Sequence, residues 1–208
     1  MIYFIHSRFI HMSLTKSQIL QNIQDIKTEF YSYNTKNMFF KKSQKQELSN
    51  IIINQITISD LINISMYRFS SENRIYLDYS IIKMYIDSQI YESLLEKLIQ
   101  LLVDCTNTTS GVYEIHINLD GFTITSAERH KAVIEQFCQR MNNTKYFDYM
   151  TTMYIYNTPS MIDAISGLFS YLLHPNIKQK MVKYDKENSL DKIAEIQGHL
   201  DDVDAKVV

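Results

Sequence analysis

From Asn73 onward the chain alternates between two kinds of residue pattern, and no other feature restricts its fold as strongly. RIYLDYSIIKMYI is rich in β-branched and aromatic residues and predicts one or two strands. Ile90, Leu94, Leu95, Leu98, Leu101, Leu102 and Cys105 then recur at helical spacing and predict an amphipathic helix over 88–105. After a turn at 106–111, Val112 to Leu119 alternates, with Tyr113, Ile115, Ile117 and Leu119 opposite Glu114, His116 and Asn118, the period of a strand. Thr125 and Glu128 have the spacing of a capping box, ahead of a helix carrying Val133, Ile134, Phe137, Cys138 and Met141 to about Asn142. Met150 to Tyr156 predicts a strand, followed by a helix capped by Ser160 with Asp163 three residues on. Lys180 to Tyr184 predicts a short strand, and Ser189 caps a last helix ending near Gly198. Strand and helix repeated in this way predict an α/β domain, with a mixed, mainly parallel sheet covered by helices and joined by right-handed crossovers.

The chain ahead of Asn73 reads as a helical lead-in. Leu14 to Tyr33 is amphipathic, with Ile19, Ile23, Ile26 and Phe30 on one face. Lys41 to Lys45 forms a polar break with a solvated face, and ELSNIIINQITISDLINISMYRF is helical or mixed with no boundary fixed. The opening MIYFIHSRFIH lacks a small-residue cleavage site and is interrupted by His6, Ser7 and Arg8, so residues 1–11 are expected to be an upstream extension. The expected organisation is a helical region over 1–70, an α/β domain over 71–200 and an acidic, frayed tail over 201–208.

Composition removes several functions. A net charge of -2 argues against a broad nucleic-acid surface, and four glycines leave no phosphate-cradling loop. The six histidines form no H-x-x-x-H or H-E-x-x-H pattern and there is no G-x-S-x-G elbow, so no enzyme, metal or cofactor is expected. His116, alone on a strand, reads as a satisfied structural group. Cys105 and Cys138 sit at apolar helical positions without C-x-x-C spacing, as reduced thiols of a cytoplasmic protein do. No apolar run reaches the roughly 18 residues of a membrane span.

Both prolines of the chain flank one apolar segment, in YIYNTPSMIDAISGLFSYLLHPNIKQKMVKYD. Periodicity alone reads Met161, Ile165, Leu168, Phe169, Leu172 and Leu173 as a core helix, with a helix covering a cavity as the alternative. Four pieces are more specific together: INLDGFTITSA, YFDYM, YIYNTP and LLHPNIKQKMVKY follow one another in an order and spacing that resemble the CRAL-TRIO lipid-binding family, over about Asn73 to Leu200. The resemblance implies a hydrophobic pocket between sheet and helices, closed by a gate helix at about 161–173. Tyr113, Ile115, Ile117, Met153, Ile155, Met161, Ile165, Leu168, Phe169 and Leu172 would line or close it. Lys180 and Asp148 fall where phosphatidylinositol-transferring members hold the headgroup, whereas Tyr113 and Ile115 replace hydroxyls that serve a choline headgroup in others. The implied ligand is a phospholipid or other hydrophobic molecule, bound without catalysis and exchanged at a transient membrane surface by a cytoplasmic, peripherally associating protein. The alternative is a protein-interaction module of the same fold with a filled pocket.

Overall fold

The computed structural model describes residues 14–34, 41–69, 73–172 and 176–204. The chain divides between Asp60 and Leu61 into two units. In the first, α1 (Lys16–Tyr33) packs against α2 (Lys41–Gln55). A reciprocal cap starts α1: the Thr15 hydroxyl accepts from the Gln18 N–H while the Gln18 side chain accepts from the Thr15 N–H. Its buried stripe is Ile19, Ile23, Ile26 and Phe30, as the sequence predicts. The lysine-containing break is instead the first turn of α2. Residues 1–11 lie outside the described residues. A third helix, α3 (Ile58–Ser65), spans the division.

The second unit holds a five-stranded sheet. Its elements run β1 (Met66–Phe69), β2 (Arg74–Asp78), α4 (Tyr79–Tyr85), α5 (Tyr91–Thr106), β3 (Tyr113–Asn118), α6 (Ile124–Arg129), α7 (Lys131–Thr144) and α8 (Tyr146–Tyr149). They continue with β4 (Met150–Tyr156), α9 (Ile162–Leu168), β5 (Met181–Lys183) and α10 (Lys186–Asp204). The strands lie side by side in chain order, β1 antiparallel to β2 and the rest parallel. The sheet is therefore mixed and mainly parallel. Right-handed crossovers between strands that always advance in one direction place α4 to α9 on the same side.

Several local expectations are corrected. Residues 66–69, assigned to the helical lead-in, form β1, because pairing with β2 outweighs a local pattern too short to choose. Only RIYLD of RIYLDYSIIKMYI is a strand. The remainder is α4, whose Ile81, Ile82 and Tyr85 share a buried face. Asp78 starts that helix: its Oδ1 accepts from the Ser80 N–H at 2.9 Å and the Asn118 amide at 3.0 Å. Thr123, not Thr125, caps α6, taking the Ser126 N–H at 3.1 Å. Ser160 caps nothing, since α9 begins at Ile162 without a side-chain cap. Ser189 lies inside α10, where its buried hydroxyl accepts the Asn157 N–H at 2.7 Å; Asp185 takes the capping position by accepting the Asn188 N–H at 2.9 Å. The expected frayed tail is helical through Asp204.

One turn demands glycine. Gly121 adopts φ 76°, and a Cβ there would meet the Lys83 ammonium, which donates to the Asp120 carbonyl at 3.0 Å. Asp78→Ala should cost about 2–4 kcal/mol, from the lost cap and the stranded Asn118 amide. The check is the urea midpoint, which should fall with no change in slope.

Candidate functional site

Side chains alternate across the sheet, so its register sorts them into two faces. One face carries Ile75, Ile115, Met153 and Met181 in one row and Met66, Leu77, Ile117, Ile155 and Lys183 in the next row toward the carboxyl ends. The crossover helices cover this side. Tyr113, at its amino end, donates to the Tyr146 carbonyl of α8 at 2.7 Å, and Lys183, at its carboxyl end, reaches Asp163 of α9 at 2.8 Å. The opposite face is aromatic. Phe69, Tyr76 and Tyr156 are buried there with Ile196 of α10, and Tyr67, Tyr154, Tyr184 and Ile193 pack around them.

On the helical face burial is uneven. Ile75, Ile115 and Met153 are sealed beneath helices, and α5 packs on β1, β2 and β3. In the next row Met66 and Ile155 are buried, yet Leu77 and Ile117 between them are only half-buried. Both belong to interior strands whose backbones are paired on each side, so the exposed area is side chain facing open space. The helical cover is thus thinner above the carboxyl ends of β2 and β3 than one row below. Farther along the same row, Lys183 of the edge strand pairs with Asp163 of α9.

The expected pocket residues separate accordingly. Tyr113, Ile115, Met153 and Ile155 are core, whereas Ile117 is half-buried. In α9 and the turn after it, Ile165 and Phe169 pack on Ala127, with Phe122, Ile124, Ile134 and Leu172 around them. Met161 and Leu168 point outward, at 52% and 39% exposure. The helix is seven residues long, shorter than the expected 161–173, and Leu173 lies outside the described residues. Lys180 donates to the Phe147 carbonyl at 3.0 Å, which brings it beside the segment carrying the exposed Asp148. Sequence reasoning overlooked Leu77 and Lys183. Continuing the period of two through KMVK would have placed Lys183 on the same face as Met181.

The polar side of β3 is buried at His116 and Asn118. His116 Nδ1 lies 2.9 Å from the Tyr156 hydroxyl, and its ring stacks on Tyr154 and Tyr156. Burial, then the Asp78 charge, pushes the Tyr76 phenol far above its ordinary range, so that group stays neutral. In the first unit, α1 and α2 border a separate pocket of about 390 Å³ whose lining includes Ile26, Phe30, Ile51, Glu29 and Glu47. Among the described residues no cluster of His, Cys, Asp or Glu is placed to hold a metal, and no helix is long and apolar enough to cross a membrane.

A family model described as the CRAL/TRIO domain matches residues 87–201, more than half of the chain. The chain belongs to this family. Members of the CRAL/TRIO family bind lipids and other lipophilic molecules, in general without catalysis. No curated protein matches the sequence. Among solved structures, one described as the crystal structure of Sfh5 aligns over 80% of this chain and 67% of its own, with 10% identity and a TM-score of 0.47.

In this CRAL/TRIO domain α6 joins α7 at His130, which is buried with its Nδ1 2.8 Å from the Tyr91 hydroxyl. Burial foremost, then Arg129, lowers its pKa to about 4. The unfolded chain takes up this proton near pH 6.5, and the folded one only near 4, so protonation favours unfolding. Stability should be fully present above about pH 6.5 and fall by on the order of 1–3 kcal/mol as the pH drops toward 4. Denaturant titrations between pH 7 and 4.5 should show this slope, and His130→Gln should flatten it.

Proposed function

We propose that the chain binds a single lipophilic chain or phospholipid in the cleft above Leu77 and Ile117 and exchanges it at membranes, with α9 as the gate. The observation that carries this reading is the half-buried pair at the centre of the sheet, since a fully packed α/β core leaves no such opening on interior strands. Burying acyl groups there would supply about 0.8 kcal/mol per CH₂. Met161 and Leu168 give α9 an outward apolar surface for contact with a bilayer, while Ile165 and Phe169 hold its inner side. Lys180 and Asp148 are rim contacts for a headgroup in this reading, Lys180 using one of its three donors on Phe147.

The second reading, an interaction module with a filled pocket, draws support from the sealed Tyr113, Ile115, Met153 and Ile155. Ile117→Trp separates the two. The larger ring should occupy the cleft with little loss of stability and reduce uptake of fluorescent lipid from vesicles at least about tenfold; unchanged uptake with a normal melting curve would refute the cleft. Met161→Asp combined with Leu168→Asp should slow intermembrane transfer by about tenfold or more while leaving bound lipid in place. Transfer assayed beside native mass spectrometry reads both quantities.

A further inference from the structure

The pocket between α1 and α2 belongs to the first unit, ahead of the residues that match the family model, and the lipid-binding reading makes no use of it. Its volume of about 390 Å³ falls within the roughly 300–1,000 Å³ of small-molecule sites. Two rows at helical spacing line it: Ile26, Phe30 and Asn34 on α1 and its cap, and Glu47, Ile51 and Gln55 on α2. Apolar surface comes from Ile26 and Phe30, both buried, and from half-buried Ile51, whereas Glu29, Tyr33 and Glu47 are exposed.

Charge in this lining has one sign. Among the described residues Glu29 and Glu47 are its charged members, and neither carboxylate has an ion-pair or hydrogen-bond partner there. The same two helices carry Lys16, Lys27, Lys42 and Lys45, yet none of these enters the lining. Helix ends add to the negative side. Tyr33 is the last residue of α1 and Gln55 the last of α2, both line the pocket, and neither helix has a basic residue in its last turn. The closing carbonyls of a helix carry partial negative charge, which no side chain of the last turn balances here. Asn34 donates its side-chain amide to the Phe30 carbonyl at 3.0 Å, so its amide oxygen is left as a further acceptor.

We propose that this pocket binds a small organic cation, an ammonium group carried on an apolar body. The ammonium supplies the charge that Glu29, Glu47 and the two helix ends lack, and its N–H groups find acceptors on the carboxylates and on Asn34. The apolar body covers Ile26, Phe30 and Ile51, and the aromatic rings of Phe30 and Tyr33 add attraction for a cation that comes to lie over them. An anion of the same size meets two like charges. An uncharged ligand draws the two carboxylates away from water and gives them no partner in exchange.

The test uses three probes that share one indole body: tryptamine, a cation; tryptophol, uncharged; and indole-3-propionate, an anion. The chain has no tryptophan, so the indole fluorescence of each probe reports its binding to the full chain. Tryptamine should bind about fivefold or more tightly than tryptophol, and indole-3-propionate more weakly than either. Glu29→Gln and Glu47→Gln should each weaken tryptamine about two- to fivefold, and the double variant should bind tryptamine and tryptophol nearly alike. Both positions are exposed and without partners among the described residues, so these variants should melt as the unaltered chain does. Asp25→Asn alters an acid of α1 that lies outside the lining and accepts from Gln21, and it should leave the preference for tryptamine unchanged. A loss on Asp25→Asn equal to that on Glu29→Gln would assign the effect to general surface charge and overturn the site. No measurable binding of tryptamine, equal affinity for the three probes, or tryptamine binding that survives both glutamate substitutions would overturn it as well.

Discussion

The pairing of β2, β3, β4 and β5 as parallel neighbours in chain order governs the rest of the molecule. A chain that always steps to the next strand in the same direction, with right-handed crossovers, keeps its connecting helices on one side of the sheet. The two faces then meet different cover. One receives α4 to α9, and the other is left for α10 within this unit. The side chains follow that division, with Ile, Leu and Met under the crossover helices and an aromatic group of Tyr, Phe and His on the other face, with α10.

Uneven cover on the helical side gives the site its position. Long α5 seals the middle row of the sheet, whereas α9 is short and leans on α6 and α7 through Ile165 and Phe169. Leu77 and Ile117 are consequently less covered than Ile75 and Ile115 one row below. The same arrangement puts Asp163 within reach of the edge strand, so that a polar tie between α9 and β5 stands at the end of that row. The opposite face is closed more firmly. His116, Tyr154, Tyr156 and Tyr184 stack with centroid separations of 4.8–6.4 Å, and Ser189 secures α10 to the end of β4.

Periodicity was informative where an element is long and half-covered. The stripe of α1 and the leucines of α5 were legible because one face of each meets a core, and β3 kept its two-residue alternation although both of its faces are covered. It misled where a short segment has two compatible readings. SIIKMY has strand-like composition, yet it follows Asp78, whose carboxylate captures the Ser80 N–H and starts a helix. Thr125 and Glu128 have box spacing, but Thr123 lies at the helix boundary and takes the cap. The burial of His116 and Asn118 was not legible in the sequence, because no local pattern announces that the polar side of β3 will be covered as well.

The sequence by itself determined the α/β class, the order of strands and helices, and the family, since these depend on local periodicity and on motifs read in order along the chain. It also marked the helix between the two prolines as unusual. Which apolar residues are lining and which are core was decided only by the tertiary structure. Ile115 and Ile117 are equivalent in the alternation of β3, but one is buried and the other only half-buried. Lys180 and Lys183 are likewise equivalent as lysines near a short strand. Parallel pairing with β4 places Lys183 in the row of Ile155, beside Asp163, while Lys180 is turned toward α8. Burial and charge pairing are set by neighbours distant in the chain, and those neighbours exist only once the sheet has formed.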